Sequence, residues 1–180
     1  IFVSNGYMTD EAVDFAKDWL DAINVDLKAF SESFYKDMTG GHLQPVLNTL
    51  KRISGSNISL EITTLLIEGC NDAAGELYNL AAFIAGELSP DVAWHVSAFY
   101  PAYKMTDKTP TSPQAVEMAV ETGINAGLKY VYAGNICAVN NTYCPQCGSL
   151  LIERRGWNVK IHCPQPKCRD CGQPLPLVFT

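Results

Sequence analysis

SLEITTLLIEGCNDAAGELYNLAAFIAGELSPDVAWHVSAF, residues 59–99, places two apolar runs on either side of a helical pattern. Ser59–Ile67 and Trp94–Phe99 are short and rich in β-branched or aromatic residues, as buried strands are. Between them Asp72 can cap a helix running to about Leu88. Strand, helix and strand at this spacing form a crossover unit, and such a unit joins parallel strands.

The same rhythm continues on both sides. Ile1–Ser4, Asn24–Lys28 and Lys129–Ala133 read as further strands. Thr9 can cap a helix to about Ala22, with Ala12, Val13, Ala16, Trp19 and Leu20 on one face. Leu43–Ile53 reads as a second helix, closed near Gly55, and Ser112-Pro113 opens a last one ending at Gly127. The expected body is α/β, a partial (β/α) barrel of about five parallel strands over residues 1–135. Five strands do not close an eight-stranded barrel, and open sheet edges are a pairing liability. The opening Ile1-Phe-Val-Ser4 also reads as the inside of a strand. The chain is therefore expected to be a piece of a longer protein, with an upstream barrel segment as its partner. Each strand runs into polar or special residues, and in such folds chemistry collects at the carboxyl ends of strands.

After Asn135 the character changes. Residues 136–143 read as a linker, and residues 144–180 are rich in Cys, Pro and Gly. Here Cys144-Pro-Gln-Cys147-Gly148 is followed by Cys168-Arg-Asp-Cys171-Gly172, with twenty residues between Cys147 and Cys168. Two CxxCG turns aim four thiolates at one point, the tetrahedral set that Zn²⁺ prefers. Gly148 and Gly172 permit the positive φ that such turns need. The expected unit over 144–180 is a zinc ribbon with one structural Zn²⁺ on Cys144, Cys147, Cys168 and Cys171. Disulfide pairing is the alternative for these cysteines. Leu150–Arg154 and Trp157–Ile161 can form its strands. Cys163 is a register alternative for one ligand, although without a CxxC partner it reads as a spare thiol.

Composition sets outer limits. The chain has 180 residues, 47% of them hydrophobic and 18% charged, which describes a globular protein. Net charge is −6, with +3 on residues 142–180 and −9 on residues 1–141. An acidic body disfavours broad nucleic-acid binding. No apolar run approaches the ~20 residues that span a bilayer. The N-terminus does not read as a secretory signal, and seven cysteines with clustered CxxC pairs suit a reducing cytoplasm, the expected location.

Within the body, Asn24-Val-Asp-Leu-Lys28 is the most informative segment. Asp26 and Lys28 lie two apart on a strand and so share a face. They could bind a ligand's hydroxyls and carboxylate, or could form a simple ion pair. Ser4-Asn5-Gly6 likewise could hold a ligand or be a turn. His95, between Trp94 and Val96, reads as a packed core histidine, and Cys70 as a small buried hydrophobe.

Phe2-Val-Ser-Asn-Gly-Tyr7, Val25-Asp-Leu-Lys28, Leu60-Glu-Ile-Thr-Thr-Leu-Leu-Ile67 with Asn71-Asp72, Trp94-His-Val-Ser97, Tyr103-Lys-Met-Thr-Asp107, Gly134-Asn135 and Asn141-Thr-Tyr-Cys-Pro145 follow one another in a familiar order. In these motifs the chain resembles the C-terminal half to two-thirds of a radical S-adenosylmethionine protein. It is similar to the pyruvate formate-lyase activating enzyme group, and to its AmmeMemoRadiSam branch. The resemblance implies a (β/α) barrel that binds a [4Fe–4S] cluster and S-adenosylmethionine in the parent protein, whose radical abstracts hydrogen from a substrate. It implies cofactor contacts for Ser4, Asn5, Asp26 and Lys28. Tyr100 stands where the family has a cofactor-contacting His, and Glu68 where it has Pro. The cluster motif CxxxCxxC and a GGEP-like segment are absent from the 180 residues. The expected function is thus the C-terminal part of a radical enzyme resembling glycyl-radical-enzyme activases, inactive alone, with a protein substrate or Memo-like partner. The alternative is a degenerate half-barrel and ribbon acting as a protein- or nucleic-acid-binding module.

Overall fold

The structure is a computed structural model and describes residues 1–177. The last three residues of the expected ribbon lie outside the described residues. The chain divides into two compact units, Ile1–Ile136 and the residues from Cys137 on.

The first unit contains β1 (Phe2–Ser4), α1 (Asp10–Ala16), β2 (Ala22–Asp26), α2 (Glu32–Phe34), α3 (Leu43–Ser54), β3 (Ser59–Leu66), α4 (Ala74–Phe83), β4 (Ala93–Ala98), α5 (Pro113–Asn125) and β5 (Val131–Gly134). Two π-helical turns, Tyr35–Thr39 and Ile84–Leu88, prolong α2 and α4. The five strands are parallel and adjacent in chain order. Right-handed crossovers that always step in one direction put every helix on the same face of the sheet. The strands therefore alternate strictly. Ile23, Val25, Ile62, Leu66, Trp94, Val96 and Ala98 are buried on the helix side. Asn24, Asp26, Glu61, Thr63, His95, Ser97 and Tyr132 take the other.

Helix α3 presents Val46, Leu47, Leu50 and Ile53 to the core, one stripe at helical spacing. Trp94 is fully buried, and its indole N–H donates to Thr64 Oγ1 at 2.9 Å. The Thr64 hydroxyl in turn donates to the Leu27 carbonyl at 2.7 Å. A buried N–H without such a partner would carry a desolvation penalty. Helix α5 is capped by Ser112 with Pro113 at its first turn, as expected.

Other boundaries differ from the sequence expectation for physical reasons. Helix α1 stops at Ala16, because Ala22 is drawn into the ladder opposite Ser59. Asp72 does not cap α4; its carboxylate accepts the Gly69 N–H at 2.9 Å instead. Helix α2, capped by Ser31, is too short to leave a periodic signal. His95 is not a core residue: it lies on the face without helices.

The second unit is a three-stranded antiparallel sheet of β6 (Thr142–Tyr143), β7 (Leu150–Arg155) and β8 (Asn158–Ile161). Its small core holds Cys144, Leu151, Ile152, Cys163, Cys168 and Leu175. Among the described residues no helix is long and apolar enough to cross a membrane.

Candidate functional site

In the second unit the same turn is built twice. The Gly148 N–H donates to the Cys144 carbonyl at 2.9 Å, while the Cys144 N–H donates to Ser149 O at 2.8 Å. The Gly172 N–H donates to Cys168 O at 2.9 Å, while the Cys168 N–H donates to Gln173 O at 2.8 Å. The two glycines have φ of +74° and +76°, a region that a side chain would strain. These turns bring four sulfurs together, all within 4.8 Å of one another. Cys144 Sγ lies 3.6 Å from Cys171 Sγ, and Cys147 Sγ lies 3.7 Å from Cys168 Sγ. A tetrahedral metal–thiolate site with arms of about 2.3 Å has edges of about 3.8 Å. The spacing and the donor set fit such an ion.

Local contacts shift two of these thiols in opposite directions. The Ser149 hydroxyl, 3.1 Å from Cys147 Sγ, helps pull that thiol down to about 6. At Cys171 a backbone hydrogen bond from Gln173 lowers the pKa. Lost hydration and the sulfurs of Cys147, Cys144 and Cys168 overcome it and push the thiol up to about 12. A divalent cation held among the sulfurs would favour their thiolate forms. Cys163 stays outside the group. It is buried, with its sulfur 3.6 Å from the Leu151 carbonyl, and burial pushes its pKa up.

In the first unit a cleft of about 430 Å³ opens beyond the carboxyl ends of β1 and β2, lined by Asn5, Tyr7, Lys28, Tyr35 and Thr39 among others. Gly6 turns the chain at its edge with φ +71°, and a Cβ there would meet Val25 Cγ1 at 2.7 Å. Ser4 Oγ accepts the Gly6 N–H at 3.1 Å, and Asn5 Oδ1 accepts the Tyr7 N–H at 3.0 Å. Ser4 is in register with Val25 and stands on the helix side, whereas Asp26 points the other way. Lys28 Nζ bonds Asp26 Oδ2 at 2.8 Å, with both side chains about one-third exposed. Of the residues expected to bind a cofactor, Asn5 and Lys28 line this cleft and Asp26 is tied to Lys28. Tyr100 sits beyond β4, more than half exposed, with its hydroxyl donating to the Asn135 carbonyl at 3.0 Å. It is not among the lining residues.

Several further residues shape this end of the sheet. Tyr35 is buried, which pushes its phenol up to about 12, and its oxygen accepts the Lys28 N–H at 3.2 Å. Asn71 is 1% exposed and bonds the Lys28 and Leu65 carbonyls at 2.6 and 2.9 Å. Glu68 accepts both the N–H and the hydroxyl of Ser112 at 2.7 Å, which holds its carboxyl below the usual range and pins the start of α5. On the face without helices, one row across four strands reads Asp26, Thr63, His95, Tyr132. There His95 Nε2 pairs with Glu61 at 3.0 Å and its ring stacks on Tyr132 at 5.3 Å.

No protein-family model matches the chain. A curated protein of Methanocaldococcus jannaschii, described only as uncharacterized, is 38% identical over 184 residues, covering 99% of this chain and 54% of that protein. The chain thus spans about half the length of this relative. Among solved structures, a domain of a pyruvate-formate lyase-activating enzyme from Bacteroides vulgatus superposes with a TM-score of 0.64 at 17% identity, covering 74% of this chain and 80% of that one. A radical SAM methyltransferase from Sphaerobacter thermophilus gives 0.56 at 16% identity, covering 83% of this chain and 44% of that one. At such identities the likeness is one of fold: five parallel strands in an α/β arrangement, shared with an activating-enzyme domain and with part of a radical SAM methyltransferase.

Proposed function

We propose that this chain is the C-terminal part of a radical S-adenosylmethionine enzyme resembling the glycyl-radical-enzyme activases. The observation that carries the reading is the Asp26–Lys28 pair at the end of β2, with Lys28 and Asn5 lining one cleft. In an α/β sheet this is where ligands bind. The Lys28 ammonium would hold the carboxylate of S-adenosylmethionine. Asp26 would accept from ribose hydroxyls, and Tyr7 would form a wall of the cleft. Bound beside a reducing [4Fe–4S] cluster, that cofactor supplies radical chemistry; the residues here bind and orient.

The cluster itself does not fit these residues. Among the described residues the one group of three or more metal-ligating side chains is the four-cysteine set of the ribbon. Those four thiolates would fill a tetrahedron and leave no open position, whereas this chemistry needs three thiolates and a free iron. The cluster is therefore assigned to an upstream segment, and the four-cysteine set to a structural Zn²⁺. The sheet edge at β1 supports an upstream partner. Ile1, Phe2 and Val3 are exposed there, and Phe2 and Phe15 pack edge-on against a half-exposed Trp19. A bare apolar edge suits a further strand and helix.

The test compares this chain with a longer protein carrying its upstream region, both prepared anaerobically with a chemical reductant. The longer protein is expected to bind S-adenosylmethionine and release 5′-deoxyadenosine, and the 180-residue chain to release none. Release by the chain alone, or no binding by the longer protein, would overturn the proposal and favour a binding module.

A further inference from the structure

Lys28 lies two residues past Asp26, the last residue of β2 paired with β3. Side chains take over. The Lys28 N–H donates to the Tyr35 hydroxyl oxygen at 3.2 Å, and its carbonyl accepts from Asn71 Nδ2 at 2.6 Å. The Phe30 N–H donates to Glu76 Oε1 at 2.8 Å. Three side chains from three parts of the chain thus bind the backbone of residues 28–30.

Asn71 is the centre of this arrangement. Its second amide N–H donates to the Leu65 carbonyl at 2.9 Å, and its Oδ1 accepts the Ile67 N–H at 2.7 Å. Leu65 is near the end of β3, so one buried amide ties the end of β2 to the end of β3. The position requires two donors and one acceptor at short reach, which asparagine supplies. Aspartate has the shape but no donor, and would set a carboxylate against two carbonyl oxygens.

We propose that Asn71 is a positioning residue that acts through Lys28. By fixing the carbonyl of Lys28 it sets the direction in which that side chain leaves the backbone. The ammonium then meets Asp26 and faces the cleft in one orientation, ready for the carboxylate of an amino-acid-like ligand. This rests on the reading of Lys28 given under Proposed function.

A double-mutant cycle tests it in the longer protein, with anaerobic equilibrium dialysis of S-adenosylmethionine as the probe. Lys28→Ala and Asn71→Asp are each expected to weaken binding about tenfold, the scale of one lost polar contact. The double variant should bind no worse than Lys28→Ala alone, because residues that act as a unit are non-additive. Losses that multiply in the double variant would make Asn71 a general structural residue and overturn the inference. So would unchanged binding in Asn71→Asp alongside a loss in Lys28→Ala. Unchanged binding in Lys28→Ala would instead refute the reading of Lys28, and this inference with it. Thermal melting checks that each variant folds, and Asn71→Ser, which keeps one donor, goes through the same cycle if Asn71→Asp does not.

Discussion

Replacing Cys168 by Ser removes one of four sulfurs from a site whose edges, 3.6 and 3.7 Å, leave room for a single tetrahedral ion. The described core of the ribbon has three aliphatic side chains, Leu151, Ile152 and Leu175. Their burial contributes roughly 5–9 kcal/mol at about 1.5–3 kcal/mol each. A structural zinc contributes about 10–16 kcal/mol in small domains of this kind. On the proposed zinc assignment the metal would be the larger contribution, and the ribbon is expected to come apart without it. Elemental analysis should find about one zinc per chain in the parent chain and little in Cys168→Ser. Amide exchange should then lose protection in β6, β7 and β8 and keep it in the five-stranded sheet, since the two units are separately compact. Cys163→Ser is the matched control. It removes an equally buried sulfur from outside the ligand group, and zinc should stay. Full zinc in Cys168→Ser would refute the ligand assignment. Loss from Cys163→Ser with retention in Cys168→Ser would show that the register alternative was right.

Glu68→Gln should flatten the acid limb of the stability profile. The Ser112 bonds hold the folded Glu68 carboxyl below its ordinary value of 4.5. A depressed folded pKa contributes stability above that ordinary value, and the contribution is lost as pH falls through the folded one. Melting temperatures between pH 7 and 3 check this, and equal slopes in both proteins would refute it. Gly6→Ala should destabilise by about 1–3 kcal/mol, from a clash with Val25 and a strained positive φ; urea unfolding measures it, and a change within error would sink the account of that turn. In the longer protein, Asp26→Ala should weaken S-adenosylmethionine binding by roughly 1–3 kcal/mol by leaving the ribose hydroxyls without their acceptor; calorimetry reads it, and an unaltered affinity would remove Asp26 from the site.

The sequence by itself determined whatever depends on near neighbours. Strand and helix periodicity within residues 59–99 was enough for a parallel α/β sheet, and two CxxCG turns were enough for a four-cysteine group that could hold a metal, since each turn positions two sulfurs within four residues. Asp26 and Lys28 sharing a face follows from their spacing of two. Tertiary structure alone decided the rest. Ser4 and Asp26 are both polar strand-end residues, yet the register of β1 on β2 sends them to opposite faces. His95 sits between two core residues and still belongs to the bare face, because which side is bare depends on where all the crossovers pass. Asn71 and Glu68 look like loop residues until the fold brings them to Lys28 and Ser112, 43 and 44 positions away. Such contacts have no period to read. They exist only once the collective packing of helices on one side of the sheet has set the strand register, and that packing is a property of the whole chain.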